Sequence, residues 1–457
     1  MNIKDSNILI VGCARSGIGA AKLALSQGAK VSVYDGKPYE KWDVSGKSEI
    51  NDMKESGVQF FLGKEAPVHL FNLVIVSPGI SLETPIIEKA YDGKIEVIGE
   101  FEFASRFCKA PIIAITGTNG KTTTTTLVGE ILKSYKPETY VVGNIGRAFS
   151  EDVLSVSAEG VIVAEVSSFQ LETIKSFHPV VSAILNITPD HLNRHHTMEN
   201  YCACKYNIFK NQQASDFCIL NPRDAYFEEA KLKAKGRCIT FSLTHRPDKG
   251  AYVKENSLFE NMSGEERLIC SVEDLKIKGS HNIENALAAV AITTAFGVPL
   301  YHIKSSLTAF KGVAHRTEYV TTKRGIDFFN DSKATNTDAA IAGLTGLSVL
   351  QKPIRLIAGG MDKNTTFKDW IKLFHGRVKK VYVIGETKQQ IVTECLEEGY
   401  TETAGFDTFE QAIITAYTES QSGECILLSP ACASWDMFES YEERGDLFKE
   451  IVNHLEG

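Results

Sequence analysis

The chain has no excess of positive charge, no long apolar run, no clustered cysteines and no low-complexity stretch. Each absence excludes a class of protein. Against 49 Lys and Arg stand 57 Asp and Glu, a formal net charge of −8. That balance argues against non-specific nucleic-acid binding, which rests on neutralising phosphates. No apolar run approaches the roughly 20 residues that a bilayer-spanning helix needs. The start, Met1-Asn2-Ile3-Lys4-Asp5, runs straight into a strand pattern and reads as no signal peptide. The ten cysteines form no CxxC pair, and Cys202 and Cys204, on one predicted helix, point to different faces. They read as reduced cytoplasmic thiols, without a disulfide framework or a zinc site. No internal repeat is present, and a monomer is expected.

What is present is globular: 43% apolar and 23% charged residues over 457 positions, enough for two to four domains. The stretch that organises the chain is Ala114-Ile115-Thr116-Gly117-Thr118-Asn119-Gly120-Lys121-Thr122. Ile112 to Ile115 reads as a buried strand, and a helical pattern follows from Thr123. Strand, glycine loop and helix make a phosphate cradle. Backbone N–H groups face the phosphates, Lys121 adds a point charge, and the Thr122 hydroxyl suits Mg²⁺. The loop is compact, G-x-x-G-K-T, with Ile115 where the longer pattern has a glycine.

Upstream, the strand Ile8 to Val11 enters Gly12-Cys13-Ala14-Arg15-Ser16-Gly17, and a helix and the strand Lys30 to Tyr34 follow, closed by Asp35. This is the outline of a dinucleotide-binding βαβ unit, but Ala14 stands at the middle glycine. The turn suits a dinucleotide, another nucleotide such as a UDP group, or no ligand. Leu73 to Val76 delivers Ser77-Pro78-Gly79 to the same sheet edge, with Lys37 close in sequence. A boundary is expected near Gly99.

The central segment alternates strands and helices, which predicts a parallel sheet. Val161 to Ala164 ends at Glu165, an acid suited to Mg²⁺ or to orienting water. Val180 to Ile187 leads to Asp190, His191, Arg194, His195 and His196. These histidines lack metal-finger spacing and no cysteine is placed to help, so one is expected to serve a second Mg²⁺ and the others to be surface. Lys205, on an apolar helix, is either a snorkelling lysine or a buried amine open to covalent modification. Asn282 and Asn285, three apart at a helix start, suit a base edge or a helix cap. From about Val313 a third α/β unit begins, with His315-Arg316 at its start. Four strands there each deliver a small-residue loop to one edge: Asp331 to Asn336, Gly359 to Lys363, Gly385, and Ser429 to Ser434.

Together Ser77-Pro78-Gly79, Thr116 to Thr122, Asn144-Ile145-Gly146, Glu165 to Glu172, Asn186 to His191 with Lys205, His315-Arg316, Asp331 to Asn336 and Ser429 to Arg444 resemble the Mur ligase family across essentially the whole chain, and its D-glutamate-adding branch most. The resemblance implies an α/β protein of three domains. Residues 1–99 would form a Rossmann-like domain binding a UDP-sugar substrate. Residues 100–313 would form a P-loop ATPase-like domain with a parallel sheet. Residues 314–457 would form a Rossmann-like domain bringing the amino acid. The activity implied is ATP-dependent addition of D-glutamate to UDP-N-acetylmuramoyl-L-alanine through an acyl phosphate, in the cytoplasm, with two Mg²⁺ ions. Gly117, Thr118, Asn119, Gly120, Lys121, Thr122, Asn282, Asn285, Arg316 and Asp331 would meet ATP, with Lys333 near the transferred phosphate. Thr122 and Glu165 would hold one Mg²⁺. His191 and Lys205, the latter as its carbamate, would serve the other. Arg15, Ser16, Lys37, Ser77, Pro78, Gly79, Asn144 and His191 would meet the UDP substrate. Thr335, Lys363, Ser434 and Tyr441 would seat D-glutamate. Lys37 stands where the family commonly has arginine, Arg15 where it has an apolar residue, and Tyr441 where an aromatic without the hydroxyl is familiar.

Rival readings leave parts of the chain idle. A diaminopimelate- or lysine-adding relative would carry Asp-Asn-Pro-Arg in its last domain. Here Leu220-Asn221-Pro222-Arg223 lies in the central segment and is a decoy. A folylpolyglutamate synthetase lacks the first domain, an NAD-dependent oxidoreductase leaves Thr116 to Thr122 unused, and a P-loop binding module leaves the third unit's loops unused.

Overall fold

The computed structural model describes residues 1–42, 44–277, 279–347, 350–361 and 366–456, with Asn193 and Asp338 described in their backbone only. The chain divides into two compact units, Met1–Lys276 with Asn282–Phe310, and Ile277–His281 with Lys311–Gly457. Among the described residues the larger unit carries two sheets and the smaller one a third.

The first sheet is built from β1 (Asn7–Val11), β2 (Lys30–Asp35), β3 (Gln59–Leu62), β4 (Leu73–Val76) and β5 (Glu96–Gly99), in the order β3-β2-β1-β4-β5. Every pairing is parallel. Central strands as apolar as β1 and β4 must be covered on both faces. Accordingly Ile8 and Ile10 point into one core while Leu9 and Val11 point into another. The order reverses between β1 and β4, so the loops after these two strands flank the topological switch point where open sheets bind ligands.

The second sheet contains β6 (Ile112–Thr116), β7 (Thr139–Gly143), β8 (Val161–Glu165), β9 (Val181–Ile184), β10 (Phe217–Leu220), β11 (Arg237–Ser242), β12 (Gly250–Lys254), β13 (Ser257–Glu260) and β14 (Arg267–Ser271). Its order is β14-β13-β12-β11-β10-β9-β6-β8-β7. It is parallel as expected except for the antiparallel meander β12-β13-β14. β6 lies between β9 and β8, which places the phosphate loop between the carboxyl ends of its two neighbours.

The sequence places a boundary near Gly99, where β5 ends, but the apolar core continues across it. The helix Glu100–Ser105 buries Phe101 and Phe103 completely. Phe101 packs against Phe149 and Phe177 of the central segment at 5.3 and 5.0 Å between ring centroids. Buried Glu102 accepts the backbone N–H groups of Lys175, Ser176 and Phe177 and an N–H of Arg106. One core therefore serves both sheets.

In the smaller unit β15 (Glu318–Lys323), β16 (Ile326–Asn330), β17 (Ile354–Gly359), β18 (Val378–Ile384), β19 (Thr403–Gly405) and β20 (Cys425–Leu428) follow the order β15-β16-β20-β17-β18-β19. Only β15 is antiparallel to its neighbour. The parallel set β16, β20, β17 and β18 delivers its four following loops to one edge. Of the loop after β17, residues 362–365, including Lys363, lie outside the described residues.

Candidate functional site

The phosphate loop leaves β6 at Gly117 and enters the helix Lys121–Tyr135. Gly120 has φ +80°, and a Cβ there would overlap Oδ1 of Asn285. Only a residue without a side chain lets the loop close against that carboxamide. Asn285 in turn accepts the Thr124 hydroxyl at 3.3 Å and donates to Asn282 Oδ1 at 3.3 Å. The two asparagines thus meet beneath the start of the loop's helix. Asn186, on the loop after β9, templates the other side: its Oδ1 accepts the Asn119 N–H at 2.8 Å and its Nδ2 donates to the Asn119 carbonyl at 3.1 Å. The Thr118 hydroxyl exchanges hydrogen bonds with the Thr188 backbone and lies 3.1 Å from the Tyr201 hydroxyl. Spacing alone does not reveal Asn186 or Tyr201, because their partners are distant in sequence.

Two lysines converge on one carbonyl oxygen. Lys121 Nζ donates to Gly117 O at 2.9 Å and to Thr118 O at 2.8 Å, and Lys205 Nζ donates to Gly117 O at 2.9 Å. Lys205 is 1% exposed, so the snorkelling alternative is overturned. Burial, and then the positive charge of Lys121, hold its ammonium well below the usual lysine range. Its amine lies 4.7 Å from the centroid of the Tyr201 ring.

Glu165 ends β8 opposite Ile115 of β6. It is 1% exposed. Its Oε1 accepts the Asn144 side chain at 2.8 Å, while Oε2 is buried without a hydrogen-bond partner among the described residues, as is Thr116 Oγ1. A carboxylate oxygen left unpaired in the interior is costly unless a cation completes it. Thr122, beside Lys121 in the same helix, is buried as well. These donors are hard oxygens, as Mg²⁺ prefers. After Glu165 a capping box of Ser167 and Gln170 starts the short helix Ser168–Leu171, the S-x-x-Q pattern legible in the sequence.

His191 caps the helix Leu192–His195 at φ +52°, and its ring lies 4.8 Å from that of Phe169. The other two histidines correct the sequence expectation in part. His196 is exposed against Glu83, whereas His195 is buried, 2.9 Å from Ser168 Oγ. Burial, with the charge of Arg194, pushes the His195 pKa down to about 4 and keeps the ring neutral. A cysteine does stand beside it: ligand atoms of Glu172, His195 and Cys204 lie within 4.8 Å of one another. Both Glu172 oxygens, however, already bind Arg194 at 3.0 and 2.6 Å, which disfavours a metal there.

At the first sheet's switch point, Asp35 Oδ2 accepts the Cys13 N–H and Oδ1 accepts the Lys37 N–H, so the acid ties its own loop together. A Cβ at Gly17 would overlap the Gly12 carbonyl oxygen, which explains the small residue there. The Ser77 hydroxyl donates to Gly12 O at 3.3 Å and joins the two loops. Arg15 pairs with Glu151 at 3.4 Å, and Lys37 Nζ sits 4.5 Å from the centroid of the Trp42 ring. Ser16 lies in the first turn of the helix Arg15–Ser26, and Gly79 on the loop after β4.

In the smaller unit, Asp331 follows β16 and is buried. Its Oδ2 accepts Ser429 Oγ at 2.9 Å and its Oδ1 the Thr317 N–H at 3.0 Å. Burial raises its pKa to about 6. Arg316 is exposed between His315 (φ +61°) and Thr317 (φ +44°), two left-handed residues that fix the turn. Lys333 Nζ lies 5.7 Å from the centroid of the Tyr441 ring. Tyr441 opens the helix Tyr441–His454, and its carbonyl accepts Ser332 Oγ at 2.8 Å. Thr335 follows in the same loop, and Ser434 is buried in the loop after β20. Arg444, fully buried with no carboxylate bound among the described residues, donates to Ser332 O, Cys432 O and Ala433 O and so holds the loops after β16 and β20 together.

Comparison with known proteins covers the chain end to end. Residues 6–99 match the family model for the Mur ligase MurD-like N-terminal domain, residues 115–293 the Mur ligase middle domain, and residues 315–432 the Mur ligase glutamate ligase domain. The chain is similar, at 44% identity and with 100% of each chain covered, to the UDP-N-acetylmuramoylalanine–D-glutamate ligase of Alkaliphilus oremlandii. It is 43% identical to the enzyme of the same name from Lachnoclostridium phytofermentans, covering 100% of this chain and 99% of that one. Among solved structures, the UDP-N-acetylmuramate-alanine ligase of Thermotoga maritima shares the fold at a TM-score of 0.57 and 18% identity, covering 98% of this chain and 99% of that one.

Proposed function

The chain belongs to the Mur ligase family, and from that premise we propose that it joins D-glutamate to UDP-N-acetylmuramoyl-L-alanine, consuming ATP, in peptidoglycan precursor synthesis. The observation that carries the reading is that the chain's similarity to D-glutamate ligases runs its full length, over both the phosphate loop and the switch-point loops. A dinucleotide oxidoreductase or a lone P-loop module accounts for one of these features and not the other.

A carboxylate does not acylate an amine at neutral pH, because oxide is no leaving group. Here the alanyl carboxylate oxygen attacks the γ-phosphorus of ATP, the bridging P–O bond breaks, and ADP leaves. The D-glutamate nitrogen then attacks the acyl carbon, phosphate departs with its electron pair, and the amine loses a proton. Negative charge accumulates throughout, so the site's cations carry catalysis. We assign Gly117 to Thr122 to the phosphates, with Lys121 as the point charge, and Asn282 and Asn285 to the nucleotide side. Arg316, Asp331 and Lys333 are assigned to ATP and the transferred phosphoryl group. The orphaned Oε2 of Glu165 supports Thr122 and Glu165 as the oxygens that hold Mg²⁺, which when bound neutralises phosphate charge. Arg15, Ser16, Lys37, Ser77, Pro78, Gly79, Asn144 and His191 are assigned to the UDP substrate, and Thr335, Lys363, Ser434 and Tyr441 to D-glutamate. Residues 1–99, 100–313 and 314–457 are the corresponding domains, acting as a cytoplasmic monomer.

Lys205 is the amine best suited to react with CO₂. Its depressed basicity leaves nitrogen with a free electron pair. An N–C bond forms, one N–H proton leaves, and the carbamate supplies oxygens that with His191 suit a second Mg²⁺. Lys205→Ala is expected to lose activity and to regain part of it with short-chain carboxylic acids. Near-normal activity without rescue would refute the assignment.

The decisive assay is phosphate release from ATP with UDP-N-acetylmuramoyl-L-alanine and Mg²⁺, with D-glutamate set against L-glutamate, L-alanine, L-lysine and meso-diaminopimelate. Release with D-glutamate alone supports the reading. Release with another amino acid keeps the reaction class but overturns the amino-acid assignment.

A further inference from the structure

We propose that Arg194 is a positioning residue that couples the Ser77–Ile80 loop of the first sheet to the Glu165–Glu172 and His191 segments of the central sheet. The proposal rests on the reading that Ser77 to Gly79 meet the UDP substrate.

One guanidinium makes four hydrogen bonds to two separate segments. Its Nη1 donates to Pro78 O at 2.8 Å and its Nη2 to Ile80 O at 3.0 Å. Nε and Nη2 grip the two oxygens of Glu172 at 3.0 and 2.6 Å. The guanidinium carbon also lies 4.1 Å from the centroid of the Phe169 ring. The ring of His191 lies 4.8 Å from that of Phe169, so Phe169 links the guanidinium to His191. The Arg194 side chain is only 15% exposed and that of Glu172 only 11%. A bidentate, stacked, largely desolvated arginine is unlike an exposed ion pair, whose contribution is small. Lysine can supply the charge but not the fork.

The contacts form one chain across the two sheets. Ser77 donates to Gly12 O, which fixes the β4 loop to the β1 loop. Arg194 carries that pair of loops to Glu172 and Phe169, which follow Glu165 within one short segment. The geometry of the substrate loops and that of His191 therefore depend on the same cation. Glu172, at the end of the Glu165-to-Glu172 motif, has here the role of orienting Arg194.

The test compares Arg194→Ala, Arg194→Lys and Glu83→Gln, the last a control at the exposed His196 pair. Equilibrium Kd for UDP-N-acetylmuramoyl-L-alanine and for ATP is measured by titration calorimetry alongside kcat and melting temperature. Arg194→Ala is expected to weaken the UDP substrate by about tenfold to a hundredfold while ATP affinity stays within about twofold. Arg194→Lys is expected to fall between Arg194→Ala and the native protein, and free guanidinium ion to restore part of the Arg194→Ala binding. Glu83→Gln is expected to match the native protein. Unchanged affinity for the UDP substrate in either Arg194 variant overturns the coupling. So does an equal loss for both ligands, which marks a general structural role. If Arg194→Ala does not fold, Arg194→Lys decides alone. Failure of the native protein to bind the UDP substrate overturns the functional reading beneath the proposal, and the proposal with it.

Discussion

Asp331 illustrates how burial at a single residue becomes a property of the whole curve of stability against pH. Its folded pKa of about 6 lies above the ordinary value of 3.8. The folded state therefore holds its proton more tightly than the unfolded state. The associated stability is fully present below about pH 4 and is lost as pH rises through about 6, a difference of about 3 kcal/mol. Denaturation of the native protein and Asp331→Asn at intervals from pH 4 to 7 is expected to show this slope in the first and not in the second. Glu165 carries a buried carboxylate oxygen with no hydrogen-bond partner among the described residues. Glu165→Gln leaves the Asn144 contact possible but removes the charge. It is expected to lower phosphate release by about a hundredfold or more and to raise the Mg²⁺ concentration for half-maximal rate.

At two of the ligand loops, elements approach each other because a glycine leaves room. The helix Arg15–Ser26 reaches the β1 loop because Gly17 leaves room for the Gly12 carbonyl. Gly17→Ala is expected to destabilise the first sheet's helix packing by about 1–3 kcal/mol, measured by urea denaturation, and to weaken the UDP substrate. Gly120→Ala, which combines a positive φ with an overlap on Asn285, is expected to abolish ATP binding in the same calorimetric assay. The glycine pattern and the strand–loop–helix order were legible in the sequence because both are local. The contact of Asn186 with Asn119 and the pairing of Lys121 with Lys205 on Gly117 were not, since each joins segments that only sheet order brings together. Lys363 lies outside the described residues.

Across the whole molecule the thiols report on folding. Of the ten cysteines only Cys108, Cys204 and Cys238 are partly accessible; the others are buried, and none is in a disulfide. A thiol reagent is expected to modify at most these three in the native protein and all ten after denaturation, by intact mass. Reductant is expected to leave the melting temperature unchanged. Among the described residues no helix is long and apolar enough to cross a membrane.

Alternating apolar strands, glycine turns and helical spacing determined by themselves that this chain is a serial α/β protein with a phosphate loop at its centre and functional loops at strand ends. Short-range sterics and burial dictate those features. Strand order was decided only by the tertiary structure: β6 between β8 and β9, and β1 beside β4. That order buries Lys205, orphans Glu165 Oε2 and brings His195 inside. It also makes Arg194, which local pattern reads as one more charged residue near a histidine cluster, the link between two sheets. The physical reason is desolvation. Whether a charge is solvated, paired or free depends on which distant segments exclude water from it, and spacing along the chain does not record that.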